Sequence, residues 1–219
     1  LASITQLSLA QSNKTKSSPL KITSLFITQD AKTSSISIFR KNGKSPILTQ
    51  VAKDNFRPFL HPIVAPDGNG VLTEYSPGHH KHQTGIYWGY TRVNGRDYFH
   101  HPEGDYWRKS KASVIKNSGN EVKWETVYDL LDEKGNAVLT ETQTWSMREE
   151  NGKYLLKLIW TGEAKTDVTI GMYDYGGLFV RMPWKEGIDG EVNNGARQKN
   201  EKAEGQRSNW VDVGIKIEG

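Results

Sequence analysis

All six histidines of this 219-residue chain, His61, His79, His80, His82, His100 and His101, fall within 41 consecutive residues. Histidine, with an ordinary pKa of about 6.5, accepts and donates protons near neutrality and is also the commonest metal ligand. So dense a cluster points to proton transfer or metal binding in one segment. Residues suited to a carbohydrate or anionic ligand stand around it. Trp88 offers an apolar ring to a sugar face, Arg57 and Arg92 can pair bidentately with a carboxylate or sulfate, and Tyr90 can carry a proton. If residues 80 to 92 run as one extended strand, then His80, His82, Trp88, Tyr90 and Arg92 share one face, because strand side chains alternate with period two. A bulge at Gly85 would reset that register. Glu74 is the better placed of two nearby carboxylates for acid or base work, since Asp67, within Pro66-Asp67-Gly68, reads first as a turn residue.

His79-His80-Lys81-His82 also suggests a divalent metal site, with His80 and His82 on one face and His61 or His101 completing it. The spacing matches no specific zinc motif. Without cysteine, thiol nucleophiles, zinc ribbons and disulfides are excluded. The sequence has no phosphate-binding glycine loop, no Gly-x-Ser-x-Gly elbow and no dinucleotide fingerprint, which removes kinase, serine-hydrolase and nicotinamide chemistry. Its net charge of +4 is dispersed, so no nucleic-acid partner is implied. No apolar run reaches the roughly 18 residues of a membrane span.

These residues need a scaffold, and the pattern around them is β. From Lys21 onward, short alternating stretches are punctuated by Asn-Gly, Lys-Gly-Asn and Glu-Asn-Gly turns. Asn94-Gly95 predicts a two-residue type I′ hairpin between Ile86–Val93 and Arg96–Phe99. Glu121–Leu130, Val138–Arg148 and Tyr154–Trp160 predict three consecutive antiparallel strands, the first burying Val122, Trp124, Thr126, Tyr128 and Leu130 on one face. No long segment keeps a helical apolar stripe. The expected architecture is an all-β antiparallel sandwich, one domain over residues 21–219. Residues 1–20 read as a signal-peptide remnant and polar leader, which predicts export to the periplasm or beyond. Residues 186–208 read as an exposed loop, and the strand-like run from Val213 as part of a sheet continued in a longer chain.

The blocks Arg57-Pro58-Phe59-Leu60-His61-Pro62, Pro66-Asp67-Gly68, His79-His80-Lys81-His82-Gln83-Thr84-Gly85-Ile86-Tyr87-Trp88 and Val93-Asn94-Gly95-Arg96-Asp97-Tyr98 resemble the bacterial PmoA-like family, as does Gly176-Gly177-Leu178-Phe179-Val180-Arg181. The chain departs from that pattern at His82-Gln83, where the family carries two adjacent histidines. The resemblance implies a sandwich related to galactose-mutarotase-like folds and a place in polysaccharide degradation. It does not imply methane oxidation, a membrane chemistry for which this chain has no spanning segment.

The function expected from these residues is β-elimination, as a lyase or dehydratase, on a uronic-acid-containing oligosaccharide. His80 or His82 removes the proton next to the carboxylate, Arg92 or Arg57 neutralises that carboxylate, and Tyr90 or His61 protonates the leaving oxygen. Trp88 stacks on the sugar, with His79 and Arg181 as further substrate contacts. Two alternatives are a glycoside hydrolase or sugar epimerase using Glu74 with a histidine, and a non-catalytic carbohydrate-binding protein holding sugar on Trp88 and Trp107.

Overall fold

The turn chemistry and alternation read above organise the chain into two stacked sheets. The computed structural model describes residues 21–216. The predicted signal remnant and leader lie outside the described residues. In chain order the strands are β1 (Ile22–Thr23), β2 (Leu25–Gln29), β3 (Ile36–Arg40), β4 (Leu48–Val51), β5 (Phe59–Ile63), β6 (Ile86–Gly89), β7 (Trp107–Lys116), β8 (Ser118–Gly119), β9 (Val122–Leu131), β10 (Ala137–Glu150), β11 (Lys153–Ala164), β12 (Gly177–Val180), β13 (Gly190–Asn194) and β14 (Val211–Ile215). One sheet has the order β7-β9-β10-β11, with β1 pairing the far end of β10. The second runs β12-β6-β5-β4-β3-β2-β8, and every pairing is antiparallel.

The core lies between these sheets. Leu25, Ile27, Ile36, Ile38, Leu48, Leu60 and Ile63 from one sheet meet Val122, Trp124, Trp145 and Met147 from the other, all buried. Full burial of each such side chain contributes roughly 1.5–3 kcal/mol. The predicted inward face of β9 is fully buried at Val122, Trp124, Thr126, Tyr128 and Leu130. Gln50 ties the layers together: its Oε1 accepts from the Trp124 indole at 3.1 Å, and its Nε2 donates to the Phe59 carbonyl at 3.1 Å.

The three central strands form where the sequence predicts them, and Asn94 and Gly95 take the positive φ values (51° and 82°) of the predicted turn. That turn closes only a single bridge, Val93 to Arg96, instead of a long hairpin. Residues 186–208 are likewise more ordered than their polar composition predicts. They contain β13 and a 3₁₀ turn at Asn200–Lys202, and β13 pairs with β14 in a separate two-stranded sheet.

Among the described residues, Glu141 is the most deeply buried carboxylate, at 1% exposure. Its two oxygens accept from Gln143 Nε2 (2.8 Å) and Trp160 Nε1 (2.9 Å). Burial outweighs these donors and pushes its carboxyl from the ordinary 4.5 up to about 7. The folded protein thus keeps a proton that the unfolded chain releases between those values, so the contribution of this group to stability falls as pH rises from 4.5 to 7. Relative to wild type, Glu141→Gln should gain on the order of 3 kcal/mol between pH 5 and pH 8. Urea unfolding of both proteins at the two pH values checks this, and a pH-independent difference would contradict it.

Candidate functional site

Alternation along β6 decides which residues reach the site. Ile86 packs on the core, whereas Tyr87 points outward to join Phe59, Phe99 and Phe179 in an aromatic layer. Within it, Phe179 lies 5.3 Å from Tyr87 and 4.6 Å from Phe99, ring centre to ring centre. On this floor opens a cleft of about 550 Å³ lined by His79, His80, His82, Gln83, Phe99, His100, Tyr175 and Phe179. A larger concavity of about 730 Å³ is bordered by Arg96, His101 and Tyr106. There the His101 ring stacks on Tyr106 at 4.7 Å and Arg96 covers the same ring at 3.9 Å, so its functional groups are engaged with one another. The histidine cleft is the stronger candidate.

Arg57 supports the cleft from beneath. Its guanidinium donates to the carbonyls of His82, Phe99 (2.7 Å) and Tyr98 (3.4 Å) and lies 3.8 Å from the centre of the Tyr87 ring. One cation thereby joins the loop carrying His82 to the segment carrying His100. Burial lowers its pKa to about 10, which leaves it charged at neutral pH. Gly85 holds the other end of the histidine loop at φ +78°, where an added Cβ would overlap the Leu60 carbonyl oxygen. Gly85→Ala should therefore cost roughly 1–3 kcal/mol and displace the loop, read as a lowered Tm together with shifted histidine NMR signals. An unchanged Tm would contradict this account.

Above the floor runs a continuous hydrogen-bonded chain. Asp97 Oδ1 accepts the backbone N–H groups of Phe99 and His100, both at 3.0 Å, and its Oδ2 meets His100 Nδ1 at 2.7 Å. His100 Nε2 then meets the Tyr175 hydroxyl at 3.2 Å. In the tautomer that carries its proton on Nδ1, facing Asp97, His100 presents Nε2 as an acceptor to which the phenol donates. Partial burial and the neighbouring Tyr173 phenol raise the Tyr175 pKa to about 12, so it is un-ionised at neutral pH. His82 sits 4.6 Å from His100, ring to ring. Burial, then the proximity of His100 and Arg57, lowers its pKa to about 4 and keeps it neutral.

Residues 43–219 match the DUF6807 family, a family of unknown function, and that stretch contains every residue of the cleft and of the Asp97–His100–Tyr175 chain. The protein belongs to the DUF6807 family. Comparisons with curated proteins and with solved structures gave no match.

Several sequence-predicted positions of this DUF6807 protein lie elsewhere. Residues 79–83 form turns and β6 begins only at Ile86, so the single face expected for His80, His82, Trp88, Tyr90 and Arg92 does not exist. Trp88 stacks on Trp160 at 4.8 Å and Tyr90 packs edge-on against the same indole, both away from the histidines. His61 stands on β5 with its Nδ1 at 3.0 Å from Thr73 Oγ1 and does not line the cleft. Arg57 is 0% exposed and cannot touch substrate. Asp67 accepts the Asn69 N–H, as its turn reading predicts. Glu74 is paired with Arg181 at 3.2 Å, and Arg181 Nη1 donates to Gln83 Oε1 at 3.1 Å, which brings this guanidinium to the cleft rim beside His80. His79 and His80 form the mouth, their ring centres 3.9 Å apart. Trp107 is buried at 1% exposure and unavailable to sugar.

Among the described residues, no group of three or more His, Cys, Asp or Glu is arranged to hold a metal ion, so the expected metal site at the histidines is not supported. His100 belongs to the histidine cluster but carries no predicted role of its own, and Asp97 and Tyr175 are not among the predicted site residues. Asp97-x-x-His100 carries a local signal, an aspartate capping the turn that presents the histidine. Tyr175, 75 residues beyond His100, carries none.

Proposed function

We propose that this protein is a carbon–oxygen lyase, a polysaccharide lyase or dehydratase, acting by β-elimination on uronic-acid-containing oligosaccharides. The observation that carries the reading is the Asp97–His100–Tyr175 chain ending at an open cleft. As Tyr175 takes the proton next to the substrate carboxylate, its own phenolic proton passes to His100 Nε2. The resulting imidazolium is stabilised by Asp97. The C–H electron pair becomes the new carbon–carbon double bond, the β carbon–oxygen bond breaks, and the departing oxygen receives a proton back from Tyr175 as His100 returns its own. His82, neutral at working pH, adds no second positive charge beside the transient imidazolium. Arg181, with Gln83 and His80 at the rim, supplies the positive field that makes the enolate-like intermediate less costly.

The cleft lining includes no carboxylate, and Asp97 and Glu74 are both engaged, which disfavours standard two-carboxylate glycoside hydrolysis. The PmoA-like resemblance, with export and polysaccharide breakdown, belongs to the same proposal. Incubation with a panel of uronate oligosaccharides, followed by ultraviolet absorbance and product mass, tests it. An unsaturated product is expected, with chain cleavage for a lyase or loss of water for a dehydratase. Saturated products or unchanged substrate across the panel would overturn the reading.

A further inference from the structure

Tyr175 borders a second hollow, of about 270 Å³, whose wall includes Tyr90, Arg92, Ile170, Met172 and Tyr173. The Arg92 guanidinium lies 5.1 Å from the centre of the Tyr173 ring, and that ring lies 4.9 Å from Tyr175. Other arginines nearby have donors engaged by the protein: Arg57 on three carbonyls, Arg181 on Glu74 and Gln83, and Arg96 on the Asp105 carbonyl. Arg92 is exposed, and its side chain makes no hydrogen bond or ion pair among the described residues. A guanidinium resting on an aromatic face keeps its in-plane N–H groups free for bidentate pairing. The backbone positions it further. Gly171 donates to the Arg92 carbonyl at 2.8 Å, and a Cβ at Gly171 would come within 3.0 Å of the Arg92 Cβ. Beside the charge stand Met172, 93% exposed, and Ile170, 54% exposed. A positive fork next to apolar surface complements a sugar that presents a carboxylate and an apolar ring face.

We infer that Arg92 on Tyr173 is the carboxylate-reading group of a second sugar subsite, across Tyr175 from the histidines, so that the site takes an oligosaccharide with an acidic sugar adjacent to the reacting one. This inference rests on the proton-transfer reading of the cleft. It makes Arg92 a specificity residue outside the relay, and it identifies the substrate as a run of acidic sugars instead of a single acidic unit.

Calorimetric titration of the Tyr175→Phe protein, in which turnover is blocked, with trigalacturonate and with its neutral methyl ester tests the inference. Trigalacturonate should bind at least about tenfold more tightly than the ester, and adding Arg92→Gln should reduce that preference severalfold by weakening trigalacturonate alone, leaving the share that Arg181 contributes at the reacting sugar. A charge preference undiminished by Arg92→Gln would overturn the subsite. If trigalacturonate shifts the His100 NMR signals while Arg92→Gln changes nothing, the subsite falls and the cleft reading stands. If neither sugar binds, the subsite falls, and the oligosaccharide panel decides the cleft reading separately.

Discussion

Tyr175→Phe is expected to lower elimination by about 10²- to 10⁴-fold, the usual span for removing a positioned proton-transfer group, while leaving the fold intact. The phenol carries the last oxygen of the Asp97–His100–Tyr175 chain, and phenylalanine keeps the ring but removes the group that exchanges the proton. Tyr175 is 40% exposed, so losing its hydroxyl leaves no deeply buried partner stranded. Asp97→Asn should produce a related but separable defect. An amide side chain can present its NH₂ to Nδ1, which favours the tautomer whose Nε2 carries the proton and cannot accept from the phenol. Turnover should fall with little change in KM, and the pH profile should change shape, because the imidazolium loses its counter-charge. Rates for the two variants against wild type, with circular dichroism to confirm folding, make the check. A Tyr175→Phe protein with wild-type turnover would remove Tyr175 from the mechanism.

Arg57→Met should cost about 3–5 kcal/mol of folding stability, although no carboxylate touches this arginine. Removing the guanidinium leaves the His82, Phe99 and Tyr98 carbonyls without their donor in a buried setting, where each unmet group costs roughly 1–3 kcal/mol and the losses are not fully additive. The cation–aromatic contact with Tyr87 goes as well. Against a typical total of 5–15 kcal/mol this is a large fraction, and for a domain of this size it corresponds to a Tm lowered by roughly 10 °C. Activity should fall further than the folded fraction accounts for, because the His82 loop and the His100 segment lose their common anchor. Thermal unfolding monitored alongside activity separates these effects. A Tm within a degree or two of wild type would show that Arg57 is not the anchor described above.

The inward face of β9 was legible because each of its positions from Val122 to Leu130 obeys a period of two, and that periodicity is itself the physical requirement for burying one face. The Asn94-Gly95 turn was legible because few residue pairs tolerate two successive positive φ values. Clustering marked the six histidines as a site segment, and the cleft includes His79, His80, His82 and His100 but not His61 or His101. Extrapolating a strand through Gly85 then misplaced their partners. The positive φ at Gly85 and the turns before it end the alternation on which Trp88, Tyr90 and Arg92 had been assigned to the histidine face.

What the sequence determined by itself was local: the β character, the turns, and a histidine segment rich enough to do chemistry. Each rests on interactions between residues a few positions apart, so spacing and residue type are sufficient. The tertiary structure alone decided which arginine is buried, which carboxylates are already paired, and which tyrosine completes the hydrogen-bonded chain from Asp97 through His100. Arg57, Arg181 and Arg92 are the same residue type, yet one is caged by carbonyls, one is shared between Glu74 and Gln83, and one rests open on Tyr173. Those fates depend on long-range pairings such as β6 with β12, which brings the segment around Tyr175 back to His100 across 75 residues. No local pattern encodes that approach, because it is set by the pairing of two strands of one sheet that lie far apart in the chain.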